Sequence, residues 1–143
     1  MSLSDCGLLP KWQLLVATTA FFNSIQNFVT VKLTKRVYNT VPPSTPGKTL
    51  IFFPNAFTAL QARTFAAWTF ISGVVRLYAA YHIHDKAIYD LALITYFLAF
   101  AHFVSEIFIF RTAKLSGAVI SPVIVSTTSL IWMLGQYDFY VKR

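Results

Sequence analysis

The stretch from Ser72 to Ala92 reads SGVVRLYAAYHIHDKAIYDLA and contains a short polar turn, which joins two apolar segments that extend beyond the stretch on both sides. The turn, from His84 to Ala87, is so tight that the two segments must fold back on each other. Each segment has roughly the 20 residues that an α-helix needs to cross a bilayer. The stretch therefore predicts an antiparallel hairpin of two transmembrane helices, with Arg76 inside the first of them.

The composition of the whole chain fits a lipid environment. Of 143 residues, 56% are hydrophobic and 12% are charged, whereas about 25% of the residues of an average soluble domain are charged. Mean hydropathy is +0.58. These values predict one membrane domain that spans residues 1–143. The single cysteine, Cys6, excludes an internal disulfide.

Four segments are long and apolar enough to be transmembrane helices. They predict an all-α, polytopic membrane protein, a four-helix bundle in which the second and third helices form the tight hairpin. A long loop at 34–62 follows the first span, and its apolar part, residues 50–60, is short and broken by Pro54. That part is typical of an interfacial segment, and the role of residues 41–59 stays open. The predicted spans are 11–33, 63–84, 88–110 and 116–137.

Basic residues are unequally divided between the two sides of the predicted bundle. The long loop, the third connection and their helix ends hold seven, and the opposite side holds four. The positive-inside rule then puts the long loop in the cytosol and both termini in the lumen. Flanking basic residues of this kind also account for the net charge of +7 without a nucleic-acid partner. The seven are Lys32, Lys35, Arg36, Lys48, Arg63, Arg111 and Lys114, and the four are Lys11, Lys86, Lys142 and Arg143.

Arg76 lies eight residues before His84, about 12 Å into the bilayer at helical rise. A helical side chain leans towards the N-terminus of its helix, so Arg76 points away from the nearer surface. Uncharged polar residues of other predicted helices lie at comparable or greater depth, and we expect them to hold the guanidinium in a structural polar layer. The residues of this layer are Asn23, Gln26, Asn27, Arg76, His102, Ser126, Thr127 and Thr128.

A buried polar layer either fixes the register of a bundle or forms a path for protons, ions or substrates. A path needs titratable groups across the bilayer, and here only His102 and Glu106 titrate. We therefore favour the structural role over a proton-coupled transporter. Glu106 lies near the far interface, where we predict an ion pair with Arg63.

The sequence lacks the residue patterns of common catalytic sites. The three histidines are too few for a histidine-rich di-iron site, and the five glycines are scattered rather than grouped in a phosphate-binding loop. No serine lies in a G-x-S-x-G motif. We expect no catalytic residues, no metal site and no cofactor, and hence a protein that is not an enzyme.

Several stretches, in order and along nearly the whole chain, resemble the ergosterol biosynthetic protein 28 family. The long insert at 41–59 is the part without a clear counterpart. The matching stretches are LPKW at 9–12, FNSIQ at 22–26, KLTKRVYN at 32–39, ARTFAAWTFISGVVRLYAAYHI at 62–83, IYDLALITYFLAFAHFVSEIFIFRT at 88–112 and SPVIVSTTSLIWM at 121–133.

The resemblance implies a multi-pass protein of the endoplasmic-reticulum membrane without catalytic activity. Members of the family are scaffolds that tether a sterol C4-methyl oxidase, a decarboxylating 3-hydroxysteroid dehydrogenase and a 3-keto-steroid reductase. We therefore expect these three enzymes as partners in sterol biosynthesis. The alternative is a protein that binds a membrane lipid or sterol and presents intermediates to those enzymes. Association into a homo-oligomer stays open.

Overall fold

The computed structural model describes residues 7–30, 59–111, 113 and 115–141. Within these ranges the protein is all-helical, as predicted. Most of the predicted long loop and nearly all of the segment at 50–60 lie outside the described residues. The helices are α1 (Leu8–Val29), α2 (Ala59–Tyr81), α3 (Lys86–Phe108), α4 (Gly117–Gly135) and the single-turn α5 (Tyr137–Val141).

The tight connection between the second and third helices is confirmed. Four residues separate the end of α2 at Tyr81 from the start of α3 at Lys86. Asp85 caps α3, because its carboxylate accepts hydrogen bonds from the backbone N–H groups of Ala87 at 2.9 Å and Ile88 at 3.2 Å. Such a cap satisfies donors that a helix start leaves free. The polar turn of the sequence thus ends one helix and begins the next.

The helices pack mainly in two pairs, α1 with α2 and α3 with α4, and α2 also contacts α3. Gly73 marks the close approach of α1 and α2. A Cβ atom at this position would lie 3.1 Å from Cε1 of Phe21 and 3.3 Å from Cβ of Ala20. On the same pair of helices, the Ser24 hydroxyl donates a hydrogen bond to the Ala66 carbonyl at 2.7 Å. This pair of helices therefore depends on small residues at its contact.

The first helix begins at Leu8 rather than at the predicted residue 11, and the second begins at Ala59 rather than at 63. Pro10 lies in the first turn of α1, where a missing backbone donor costs nothing. The ends of α3 and α4 fall within two residues of the predicted 88–110 and 116–137. α1 ends at Val29 and α2 at Tyr81, before the predicted 33 and 84, and α4 lies within its predicted span. The predicted ends therefore follow the apolar runs, whereas the helices begin and end a few residues away from them.

Buried apolar residues form two clusters, one towards each end of the bundle. At one end Trp12 lies 6.2 Å from Trp132 between ring centroids. At the other, Trp68 packs edge-on against Phe65 at 5.4 Å. The larger cluster contains Leu9, Val16, Ala79, Ile83, Tyr89, Ala92, Tyr96, Met133 and Tyr140, and the smaller contains Phe65, Phe103, Ala113 and Val119.

Two of the described helices, α3 and α4, are long and apolar enough to cross a membrane. Only 28% and 22% of the residues in their most apolar windows are buried. The core helix of a soluble protein is mostly buried, whereas these two helices expose large apolar side chains such as Phe97, Leu98, Ile124 and Ile131. An arrangement in which all four long helices cross the bilayer stays a prediction.

Candidate functional site: a polar cavity among four helices

A cavity of about 330 Å³ lies among α1, α2, α3 and α4. Its apolar wall comes mainly from Val16, Phe65, Trp68, Ala99 and Phe103. Polar side chains from all four helices interrupt this wall. They are Thr19, Asn23, Asn27, Thr69, Ser72, Arg76, Tyr96, Ser121 and Ser126.

Among the described residues, Arg76 is the only charged one that lines the cavity. Its side chain is 8% exposed, and its guanidinium carbon lies 4.2 Å from the centroid of the Tyr96 ring. The buried Nε atom has no hydrogen-bond partner in the described part of the chain. A cation over an aromatic face gains about 2 kcal/mol or more when both are desolvated, so Tyr96 accounts for part of what holds the charge in place.

Three predicted residues of the polar layer, Asn23, Asn27 and Ser126, do line the cavity together with Arg76. Asn27 and Ser126 each form hydrogen bonds within their own helix. The Asn27 amide nitrogen donates to the carbonyl oxygen of Asn23 at 2.9 Å and to its side-chain oxygen at 2.8 Å. The Ser126 hydroxyl donates to the Val123 carbonyl at 3.1 Å. The aromatic ring, rather than an amide or hydroxyl oxygen at Nε, is the contact that the structure describes for Arg76.

The remaining members of the predicted layer lie outside the cavity lining. Gln26 is half-buried, and Thr127 donates a hydrogen bond to the Val123 carbonyl at 2.7 Å. His102 packs edge-on against Trp68 at 5.7 Å. Thr128 is exposed, which corrects its prediction as a buried residue. It has the right depth along α4, but it lies on a side of the helix that faces outwards.

Charged residues near the ends of the bundle have varied surroundings. Lys86 forms an ion pair with Asp90, and the Tyr137 hydroxyl donates to the same carboxylate at 2.7 Å. Arg63 is exposed near the start of α2, and Glu106 is half-buried in α3. The predicted ion pair between these last two residues stays a prediction.

A buried hydrogen-bond network, which was not predicted from the sequence, lies next to the cavity. Fully buried Gln13 accepts a hydrogen bond from the Tyr96 hydroxyl at 2.8 Å and donates one to the Met133 sulfur at 3.2 Å. The Tyr89 hydroxyl donates to the Met133 carbonyl at 2.7 Å. Tyr89 and Tyr96 are seven residues apart, which places them on one helix face. That spacing was the signal in the sequence.

The same end of the bundle holds another bond between distant parts of the chain. The Trp12 indole nitrogen donates to the Ser129 hydroxyl at 2.8 Å. Together with the Gln13 bonds, this contact joins α1 to α3 and α4. The network therefore fixes the position of Tyr96, and with it the aromatic face on which Arg76 lies.

Each of the three histidines contacts a different residue. His82 stacks on Tyr78, the His84 Nδ1 atom lies 2.9 Å from the Tyr140 carbonyl oxygen, and His102 contacts Trp68. Within the described ranges, no three His, Cys, Asp or Glu side chains group in a way that could hold a metal ion. That the protein is not an enzyme stays a prediction.

The described residues define a class: an all-helical protein with two helices able to cross a bilayer, many exposed apolar side chains, and a cavity lined by apolar residues and by the buried Arg76. The family model for Erg28-like proteins matches residues 9–131. The chain belongs to this family, which confirms the resemblance stated from the sequence. No solved structure matches the chain.

Named relatives come from fungi and mammals. The chain is 43% identical over 135 residues to "Ergosterol biosynthetic protein 28" of Saccharomyces cerevisiae. The aligned region covers 94% of this chain and 83% of that relative. The chain is 43% identical over 130 residues to the protein of the same name from Schizosaccharomyces pombe, covering 91% and 85%. The human "Ergosterol biosynthetic protein 28 homolog" is 36% identical over 129 residues, covering 90% and 84%. The names of the fungal relatives connect those proteins with ergosterol biosynthesis.

Proposed function

We propose that this protein is a non-catalytic scaffold of the endoplasmic-reticulum membrane that acts in sterol (ergosterol) biosynthesis. It tethers the sterol C4-methyl oxidase, the decarboxylating 3-hydroxysteroid dehydrogenase and the 3-keto-steroid reductase. The relatives named for ergosterol biosynthesis, similar over nearly the whole chain, support the process. The tethering itself rests on the family resemblance and on the apolar outer surface.

The observation that carries this proposal is the exposure of large apolar side chains on all four long helices. Exposure of so much apolar surface to water is unfavourable, whereas lipid tails and the helices of other membrane proteins can cover it. We infer four spans, with outer faces free to contact partner enzymes. Examples on α1 to α4 in turn are Phe22 and Ile25, Phe70 and Ile71, Phe97 and Leu98, and Ile124 and Ile131.

Tethering gives a physical benefit without any catalytic group on the scaffold. Two enzymes held in one complex meet at an effective concentration set by their separation rather than by their abundance in the membrane. An intermediate released by one enzyme then reaches the next before it diffuses away. Loss of the scaffold should therefore raise the level of intermediates while each enzyme keeps its own activity.

The test is purification of the tagged full-length protein from cells in a mild detergent. We expect the three enzymes to be enriched over a tagged, unrelated membrane protein of the same compartment. Deletion of the protein should raise 4-methyl sterols, and the wild-type chain should reverse the change. Absence of all three enzymes together with unchanged 4-methyl sterols would overturn the proposal.

Paired alanine variants, one pair for each long helix, test whether a particular outer face binds a partner. If one outer face contacts an enzyme, the variant altered at that face should no longer co-purify that enzyme. The other three variants should still co-purify it. Uniform retention of all enzymes in all four variants contradicts a role for these exposed faces. The pairs are F22A with I25A, F70A with I71A, F97A with L98A, and I124A with I131A.

A further inference from the structure

The cavity around Arg76 has no part in a purely tethering function. Tethering uses the outer faces of the helices, whereas this space of about 330 Å³ lies among them. Its size falls at the lower end of the range of small-molecule sites, roughly 300–1,000 Å³. A mainly apolar wall with a few polar groups is also typical of such sites. The cavity is therefore a candidate site for a ligand.

Within the described part of the chain, no acidic side chain neutralises the charge in the cavity. None of the described acidic residues, which are Asp85, Asp90, Glu106 and Asp138, lines the cavity. Arg76 is 92% buried by its 8% exposure, and its Nε donor lacks a hydrogen-bond partner within the described ranges. The Tyr96 ring at 4.2 Å stabilises the cation but offers no acceptor for its N–H groups in this geometry. A bound anion would supply both a negative charge and acceptor oxygens.

The surroundings of Arg76 define the rest of the ligand. Phe65, Trp68 and Phe103 present apolar surface, and the side chains of Asn23 and Ser72 add polar groups. A strongly hydrated inorganic ion would lose its water without gain against the apolar wall. An anion carried on an apolar body fills both parts of the cavity, with its charged end at Arg76.

We propose that the cavity binds a small apolar molecule through its carboxylate, with Arg76 as the anion-binding residue. The site goes beyond the proposed tethering function and does not depend on it. It gives the lipid-binding alternative a specific location and a specific ligand chemistry. The apolar body is a straight chain, as in a fatty acid, or a fused-ring skeleton, as in a sterol-type acid.

The experiment uses the purified full-length protein in nanodiscs of phosphatidylcholine, without partner enzymes, so its outcome is independent of tethering. The probes are a diazirine-bearing palmitic acid and a diazirine-bearing cholanic acid, each compared with the alcohol of the same skeleton. We expect saturable labelling by at least one acid, competed by the unlabelled acid and located on cavity-lining peptides. The alcohol should bind roughly tenfold or more weakly, since it lacks the charge. The acid that labels identifies the apolar body.

Two variants with a matched control tie the binding to the cavity. R76Q should weaken binding of the acid by roughly tenfold or more and leave binding of the alcohol unchanged. K11Q, the control, removes an exposed charge and should change the binding of neither probe. A99L keeps Arg76 but narrows the cavity at a buried lining position, so it should weaken labelling by both. Thermal unfolding of each variant checks that it is folded.

Three outcomes overturn the proposal. The first is equal binding of acid and alcohol, which would remove the role of the charge. The second is labelling as strong in folded A99L as in the wild type, which would place the ligand outside the cavity. The third is labelling by neither acid in the wild-type protein.

Discussion

The guanidinium carbon of Arg76 lies 4.2 Å from the centroid of the Tyr96 ring, so a contact between a cation and an aromatic face joins α2 to α3. The same tyrosine donates its hydroxyl hydrogen to Gln13 of α1 at 2.8 Å. The ring and the hydroxyl therefore connect different helices. Removing the hydroxyl alone and removing the hydroxyl together with the ring should therefore have different effects.

Tyr96→Phe keeps the ring but removes the hydrogen bond to Gln13, and Tyr96→Leu removes both contacts. We expect the phenylalanine variant to lose about 1 kcal/mol of unfolding free energy. The leucine variant should lose about 2 kcal/mol more, because the desolvated cation loses its aromatic partner. Reversible unfolding in detergent micelles, followed by circular dichroism, measures both. Tyr78→Leu, at an exposed tyrosine of α2, is the control, and equal losses for the two Tyr96 variants would contradict the aromatic contact.

Arg76→Leu tests whether the buried cation stabilises the bundle or is retained for another reason. If α2 crosses the bilayer, an arginine at this position costs about 2.5–3.5 kcal/mol to insert, whereas the aromatic contact contributes about 2 kcal/mol. The leucine variant should therefore be as stable as the wild type, or about 1 kcal/mol more stable, in the same unfolding measurement. A loss of more than 2 kcal/mol would instead support the structural role expected from the sequence.

The sequence predicted depth along the helices better than rotation about their axes. Depth follows from the fixed rise per residue, and Asn23, Asn27 and Ser126, which this rise places near the level of Arg76, line the same cavity. Rotation must be read from the distribution of polar residues, and these helices are apolar on nearly all sides. Thr128 was predicted in the layer on depth alone, although it faces outwards.

The hairpin was predictable because its signal is local. His84, Asp85 and Lys86 interrupt a long apolar run, and a four-residue connection leaves one geometry for its helices. The network around Gln13 was not predictable in the same way. It depends on contacts between residues more than 80 positions apart, such as Gln13 with Tyr96, and these form only when α1 packs against α3.

Gly73→Ala tests the close approach of α1 and α2. Alanine in place of a helical glycine normally stabilises by roughly 0.5–1 kcal/mol. Here the added methyl group would lie 3.1 Å from the Phe21 ring and 3.3 Å from the Ala20 methyl group, so these neighbours must shift by a few tenths of an ångström. We expect a net loss of about 1–3 kcal/mol in unfolding free energy, as for other overpacked sites.

The matched control is Gly117→Ala, because a Cβ atom at the start of α4 meets nothing within 4 Å. This variant should be unchanged or slightly more stable than the wild type. If Gly73→Ala proved as stable as the control, the two helices would not depend on this contact.

The last prediction concerns the number of spans. Contacts of Trp12 with Ser129, and of His84 with Tyr140, bring the start of α1, the α2–α3 turn and the end of the described chain to one end of the bundle. If all four long helices cross the bilayer with the termini in the lumen, the start of α2 and the α3–α4 connection face the cytosol.

Single cysteines in a Cys6→Ser background test this arrangement in sealed microsomes with a membrane-impermeant maleimide. L60C and L115C should react at once, because both positions are exposed and lie at the cytosolic end. K11C and A87C, exposed at the other end, should react only after permeabilisation. If only α3 and α4 cross the bilayer, positions 60 and 87 lie on the same side and react together, which would contradict four spans.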